Sequence, residues 1–199
     1  MRIAIVGSYG NGKTTLSTAL ADRLGIPRVH ATPMALGEGA LRTSLEECDD
    51  HQLVQLVSRR LIERVTAESS ARDAGFVSDG SVLHEFVYAD TRLRFGLHPD
   101  SADAVPTDAV SPESTALGAI AKEVVAYAEQ TYDMVIAVPN ERPLVDTPPP
   151  ISEPFRSILD ASMLNLLRKF GLPYVGVAGD ETDRLKQAVD RLGILMCDS

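Results

Sequence analysis

The residues with the clearest chemical potential lie near the amino end of the chain, where residues 7–15 have the sequence GSYGNGKTT. They match the pattern G-x-x-x-x-G-K-[ST] at every fixed position. In such a loop the glycines let several backbone N–H groups point inward and bind an anion at the positive end of a helix. The pattern predicts a site for ATP with Mg²⁺, with Lys13 on the outer phosphates and the Thr14 hydroxyl on the metal ion. The residues predicted to hold the nucleotide here are Gly10, Asn11, Gly12, Lys13, Thr14 and Thr15.

The segments on either side of this loop have the patterns that a phosphate-binding loop requires. Residues 1–7 form a short apolar run that ends in glycine, which is typical of a buried parallel strand. Leu16, Leu20 and Leu24 then fall on one helical face, and Gly25 is placed to end that helix. The loop is therefore predicted to connect a central strand to an amphipathic helix.

The same alternation of strand and helix returns along the chain. Short apolar strands are predicted at 76–79, 134–138 and 174–178, with helices before the first two and a helix from Thr182 to a stop at Gly193. Alternating strands and helices indicate βαβ units with right-handed crossovers. The fold class is therefore α/β, with helices on both faces of a parallel sheet.

Composition limits the classes of function. The 199 residues are 44% apolar with a net charge of −9, which suits one domain over 1–199 and argues against a nucleic-acid binder. The two cysteines form no zinc or redox motif, and no apolar run approaches the length of a membrane span. We expect a soluble cytoplasmic protein, monomer or homodimer, that binds ATP and a small-molecule acceptor.

A proline-rich segment at 139–154 follows a strand directly, so we expect it to act as a lid over the ligand. Arg142 and Arg156 bracket it. An arginine carried by a closing loop can stabilise the charge that develops during phosphoryl transfer, so both are candidate catalytic residues. The alternative for Arg156 is an ion pair with surface acids such as Asp160, four residues on in the helix.

Three motifs together resemble the P-loop nucleoside and nucleotide kinases, especially the ATP-binding domains related to the nicotinamide riboside kinase domain of NadR proteins. They are GNGKTT at 10–15, VSDGS at 77–81 and the Gly179 to Arg184 segment. The resemblance implies a five-stranded parallel sheet in the order 2-3-1-4-5, a mobile lid, and transfer of the ATP γ-phosphoryl group to a hydroxyl. It also implies that Gly179 and Arg184 lie beside the adenine ring; the alternative is a helix turn capped by Thr182.

Asp79 ends the strand expected beside the P-loop, where its carboxylate could bind Mg²⁺ or accept the proton of an acceptor hydroxyl. Its alternative role is to cap the following helix. Gly80 departs from the arginine or threonine that many relatives carry at this position.

The acceptor candidates are His30, Glu85, Tyr88 and Arg92, of which the last three share one helical face after Asp79. Each is alternatively a solvated or packed residue. Residues 73–115 contain eight acidic side chains and two basic ones, which favours a neutral or cationic acceptor.

The competing function is a nucleotide-binding ATPase or regulatory switch with no small-molecule acceptor. The strand at 76–79 lacks the Asp-Glu ending of many ATPases, and the chain has neither an N-K-x-D element nor an L-S-G-G-Q signature. These absences favour the kinase.

Overall fold

The computed structural model describes residues 1–31, 48–107, 110–145 and 151–197. In chain order its elements are β1 Arg2–Val6, α1 Lys13–Leu24, β2 Arg28–His30, α2 Asp50–Ser70, β3 Phe76–Asp79, α3 Val82–Phe95, α4 Pro112–Thr131, β4 Met134–Ala137, α5 Glu153–Lys169, β5 Tyr174–Gly176 and α6 Glu181–Cys197.

The strands of the described residues form one parallel sheet of five, in the order β2-β3-β1-β4-β5. The α/β class and the strand order predicted from the sequence are therefore confirmed. The register places Ile5 opposite Asp79 and Val6 opposite Ala137, so the carboxyl ends of β1, β3 and β4 meet at one edge. In parallel α/β sheets ligands bind beyond this edge.

The central strand β1 divides the apolar core into two layers because successive side chains point to opposite faces of a sheet. Ile3 and Ile5 pack with α1 and α6 on one face. Ala4 and Val6 pack with the larger cluster from α2 to α5 on the other face. The result is a three-layer α/β/α arrangement that fixes the strand ends from both sides.

The predicted boundaries hold at Gly25 and fail at Gly193. Gly25 ends α1 in the left-handed conformation, with φ 66°. The helix α6 passes through Gly193 to Cys197, so the predicted stop there is wrong. A glycine inside a helix costs only about 1 kcal/mol relative to alanine, and Ala188 and Leu192 before it are anchored in the core.

Two of the predictions from composition concern the cysteines and membrane-spanning helices. Cys48 is buried. Within the part of the chain that the structure describes, every helix is too short or too polar to cross a membrane.

The predicted lid, residues 139–154, is described only in part. Its residues 146–150 lie outside the described residues, and its last two, 153–154, belong to α5.

Leu20→Ala tests the packing of α1 on the sheet. Leu20 is fully buried, so the cavity should lower the free energy of unfolding by about 2–5 kcal/mol in urea denaturation. The control is Ile62→Ala on α2, where the side chain is 68% exposed and a change below about 0.5 kcal/mol is expected. Equal losses at both positions would contradict this packing.

Candidate active site

The loop between β1 and α1 takes its shape from glycine. Gly7 has φ 146°, and a Cβ there would lie 2.4 Å from the Val138 carbonyl oxygen. Gly12 begins α1 with φ 83° and offers the helix no side-chain cap. The backbone N–H groups of the first turn of α1 therefore receive no cap from this residue, which leaves donors for a bound anion.

Lys13 folds back over this loop, where its Nζ donates to the Ser8 carbonyl oxygen at 2.8 Å. Burial lowers the pKa of Lys13 to about 8, although the charges of Asp79 and Asp160 oppose the shift. A phosphate group placed beside the ammonium would favour its charged form again. The Lys13 ammonium is therefore held against the backbone of the loop.

Asp79 faces the P-loop from the neighbouring strand. The Thr14 Oγ1 donates to the Asp79 Oδ2 at 2.8 Å. Ser81 rather than Asp79 caps α3, because its side chain accepts from the His84 amide. The alternative capping role of Asp79 is therefore wrong.

The Thr14 and Asp79 oxygens suit Mg²⁺, a hard cation that prefers oxygen ligands. The described residues contain no cluster of three or more His, Cys, Asp or Glu that could hold a metal ion. Mg²⁺ at a nucleotide site needs few protein ligands, since phosphates and waters complete its shell. Arg28 forms an ion pair with the same Asp79 oxygen, a contact that the sequence analysis missed.

Arg156 supports the P-loop from α5 and does not extend from the lid, which corrects its predicted position. Its side chain is only 1% exposed. Its Nη2 donates to the Asn11 Oδ1 at 2.7 Å, and its Nη1 donates to Glu153 and to the Arg142 carbonyl oxygen. The alternative, an ion pair with a surface acid, does occur, but the partner is Glu153, three residues earlier, and not Asp160.

Asp160 instead holds the P-loop backbone directly. It accepts from the Ser8 amide at 2.8 Å and from the Asn11 Nδ2 at 3.2 Å. Burial raises the pKa of Asp160, while these two hydrogen bonds oppose the shift. Asn11 therefore joins the loop to two side chains of α5, a role that its position in the motif does not reveal.

A cavity of about 290 Å³ opens on the far side of the P-loop, between residues 10–19, the Pro139–Arg142 segment and the start of α6. Arg184 lines it, donating to the Asn11 carbonyl oxygen at 2.7 Å and to Glu141 at 2.6 Å. Glu141 also accepts from the Gly179 amide at 3.0 Å. Gly179 and Arg184 thus share Glu141 as a hydrogen-bond acceptor, while their place beside the adenine ring stays a prediction.

Two other predictions about this cavity have different outcomes. Arg142 is exposed and lines the cavity. The start of α6 is capped by Asp180, which accepts from the Asp183 amide, and not by Thr182 as expected. Thr182 lines the cavity instead.

Glu85 lies in a buried ion cluster on α3, so its placement does not support direct contact with an acceptor. Its oxygens accept from the Arg60 Nε and Nη2 at 2.6 and 2.9 Å and from the Arg64 Nη2 at 2.9 Å. Burial by itself would raise the pKa of Glu85, but the charges of Arg64 and Arg60 hold it at about 2. The carboxylate is therefore committed to the two arginines of α2.

The other acceptor candidates lie apart. Tyr88 is buried and packs edge-on against Phe155, with ring centroids 5.6 Å apart. Arg92 is buried and donates to the Cys48 carbonyl oxygen. His30 is exposed at the carboxyl end of β2. Glu85, Tyr88 and Arg92, which are predicted to share one face of α3, are all buried.

The ion pairs also overturn the argument from the acidic stretch. Arg28, Arg60 and Arg64 come from β2 and α2, outside residues 73–115, and pair with Asp79 and Glu85. The charge along the sequence is therefore not the charge of the site, and the preference for a neutral or cationic acceptor loses its basis.

The sequence contains a signal for the two arginines of α2, Arg60 and Arg64. Arg60, Arg64 and Glu68 continue the buried stripe of Leu53 and Val57 on α2 at steps of three or four residues. Charged residues that continue an apolar stripe must find partners when the stripe is buried.

The sequence of the chain is similar to that of known proteins. Residues 2–184 match the family model described as "AAA domain". Over 84 residues, 42% of this chain, the sequence is 36% identical to a protein named "Putative adenylate kinase" from Methanocaldococcus jannaschii. The match spans 45% of that relative's length.

Solved structures share the fold at low identity. The deoxyadenosine kinase from M. mycoides with bound dATP matches with a TM-score of 0.62 and 18% identity, over 97% of this chain and 100% of that one. A NadR protein in complex with NAD and AMP-PNP matches with a TM-score of 0.66 and 18% identity, over 96% and 48% of the two chains. The chain therefore has a P-loop nucleoside and nucleotide kinase-like fold.

Glu85→Gln tests the buried cluster. Removing one partner of a buried ion pair costs about 3–5 kcal/mol. Because the pKa of Glu85 is held at about 2, below its ordinary 4.5, the stabilisation is fully present above about pH 4.5 and is lost as the pH falls toward 2. The gap in unfolding free energy between variant and wild type should therefore narrow over that range. Glu123→Gln, an exposed change on α4, is the control; a gap for Glu85→Gln that stays constant with pH would contradict the cluster.

Proposed function

We propose, because the chain belongs to the AAA domain family and has the fold of P-loop nucleoside and nucleotide kinases, that it transfers the γ-phosphoryl group of ATP to a hydroxyl of a small acceptor. The observation that carries the proposal is the 2.8 Å contact between the Thr14 hydroxyl and the Asp79 carboxylate beside a complete phosphate-binding loop. Residues 1–199 would act as one domain, with 139–154 as the lid.

The phosphates would bind at the start of α1. The backbone amides of residues 10–15 and the Lys13 ammonium would supply positive groups that already point at the phosphates. Such groups need not reorient as charge develops in the transition state. This electrostatic stabilisation, together with positioning, is the main source of catalysis in phosphoryl transfer. The loop is held in this shape by the hydrogen bond that Arg156 donates to Asn11 and by the one that Asp160 accepts from the Ser8 amide. Binding would release the Lys13 Nζ from the Ser8 carbonyl oxygen.

Thr14 and Asp79 are the proposed ligands of Mg²⁺, directly or through water. When bound, Mg²⁺ neutralises charge on the β- and γ-phosphates. Asp79 could alternatively orient the acceptor hydroxyl and take its proton, because its carboxylate is at the edge of the sheet where the acceptor must approach. Arg28 forms an ion pair with the same Asp79 carboxylate oxygen that accepts from Thr14.

The nucleoside of ATP would occupy the 290 Å³ cavity that Arg184 lines, with the Gly179 amide joined to Arg184 through Glu141. Entry of the base between them requires Glu141 to leave the Gly179 amide. Arg142 lines the same cavity and is the proposed lid arginine for the transferred phosphoryl group. The acceptor-binding role of His30, Tyr88 and Arg92 remains a proposal.

An ADP-release screen over nucleosides, nucleotides, sugars and amino-alcohols tests the kinase. We expect at least one acceptor to raise ADP release well above the basal rate, with the phosphorylated acceptor identified by mass spectrometry. ATP binding without stimulation by any acceptor would instead favour the nucleotide-binding ATPase or regulatory switch.

Two variants then test the site itself. Lys13→Ala and Asp79→Asn should each lower kcat by about 100- to 1000-fold, the usual cost of losing one group that stabilises transition-state charge. The matched controls, Lys122→Ala on α4 and Asp22→Asn on α1, remove the same charges from exposed positions. Wild-type ATP affinity and kcat in Lys13→Ala would refute the phosphate-binding assignment.

A further inference from the structure

The turn after Asp79 contains a glycine, and another part of the molecule occupies the space where a side chain at this position would lie. Gly80 has φ 95°, in the left-handed region. A Cβ added there would lie 2.8 Å from the Arg64 Nη2 and 3.4 Å from its Cζ. The guanidinium of Arg64 thus fills the space that a side chain at position 80 would need.

Arg64 reaches this place from α2 and is almost completely buried, with 1% of its surface exposed. Its Nη1 donates to the Ser78 Oγ at 2.9 Å, and its Nη2 donates to the Asp79 carbonyl oxygen at 3.2 Å and to the Glu85 Oε1 at 2.9 Å. The acceptors belong to the end of β3 and the first turn of α3. One planar group therefore ties the strand to the helix across the turn between them.

The position of Asp79 depends on this arrangement. Its carbonyl oxygen is held by Arg64, and the next amide, that of Gly80, donates to the Ile5 carbonyl oxygen at 2.9 Å. The Asp79 carboxylate contacts Thr14 from the same residue. A shift of the peptide between these anchors would move the carboxylate relative to the P-loop.

Neutralising Glu85 does not by itself require Arg64 to touch the strand. Arg60 already donates two hydrogen bonds to the Glu85 carboxylate, at 2.6 and 2.9 Å. The additional bonds of Arg64 go to Ser78 and to the Asp79 backbone, which carry no formal charge at those atoms. Its contacts thus serve the geometry of the turn as well as the charge of the cluster.

We propose that Arg64 is a positioning residue for phosphoryl transfer, acting through the Asp79 backbone, and that Gly80 is the residue that admits it. The proposal rests on the proposed kinase function. A displacement of about 1 Å at a reacting centre can cost about 100-fold in rate, so a small movement of this turn is enough to matter.

A double-mutant cycle on Gly80 and Arg64 tests this pair. Arg64→Lys keeps the positive charge but removes the planar fork that a Cβ at position 80 would strike. In the wild-type background Gly80→Ala should lower kcat by at least 100-fold with little change in the KM for ATP. In the Arg64→Lys background, Gly80→Ala should lower kcat by no more than about 10-fold relative to Arg64→Lys alone.

Two controls separate positioning from strain and from loss of fold. Gly25→Ala introduces a Cβ at φ 66° with nothing within 4 Å, so it carries the backbone strain without the collision. Arg72→Lys is an exposed arginine change near the end of α2. Both should leave kcat within about 2-fold of wild type when rates are corrected for the folded fraction, measured by thermal unfolding.

The Mg²⁺ concentration for half-maximal activity is the readout that a merely structural role would not move. We expect Arg64→Lys to raise it several-fold and to lower kcat at the same folded fraction. Equal factors for Gly80→Ala in both backgrounds, or an unchanged kcat and Mg²⁺ dependence in Arg64→Lys, would overturn the proposal.

Failure of the kinase itself would be distinguishable. If the wild type binds ATP but transfers the γ-phosphoryl group to no acceptor, the proposed function is wrong. The double-mutant cycle on Gly80 and Arg64 is then measured by the binding of a fluorescent ATP analogue. Positioning of Asp79 then stands only if Gly80→Ala raises the Mg²⁺ requirement for binding more in the wild-type than in the Arg64→Lys background. Equal increases overturn it.

Discussion

The parallel pairing of β1 with β3 is the constraint on which the candidate site depends. Because Ile5 lies opposite Asp79, the chain leaves both strands at the same level and turns over the same edge of the sheet. One turn becomes the phosphate-binding loop and the other carries the carboxylate. The register brings Thr14 and Asp79 within reach of each other, and the hydrogen bond between them joins the two turns.

Helices on one side of the sheet then hold these two turns in place with buried polar groups. From α5, Arg156 and Asp160 hold the P-loop, while α2 supplies Arg60 and Arg64 to the turn after β3. Taking such charges out of water is expensive, and they contribute little net stability compared with apolar residues of equal size. Their benefit is directional, since each hydrogen bond specifies one arrangement of a turn that apolar packing would leave loose.

Much of the fold could be predicted because its signals are local. The apolar run before Gly7 and the left-handed stop at Gly25 depend on neighbouring residues, and both occur where the sequence places them. The strand order came from the family resemblance and is confirmed. The helix stop at Gly193 failed because glycine only weakens a helix whose other residues are anchored in the core.

The sequence by itself determined the loop that is proposed to bind phosphate, because its glycines and Lys13 act through backbone conformation and through contacts within a few residues. Only the tertiary structure decided which side chains meet across the fold. In the folded chain Glu85 lies buried between two arginines. Arg156 contacts the P-loop and does not extend from the lid. The Arg64 guanidinium fills the space that a side chain at Gly80 would need. Ion pairs and close packing join residues far apart in the chain, so neither charge counts nor helical spacing along one segment can identify their partners.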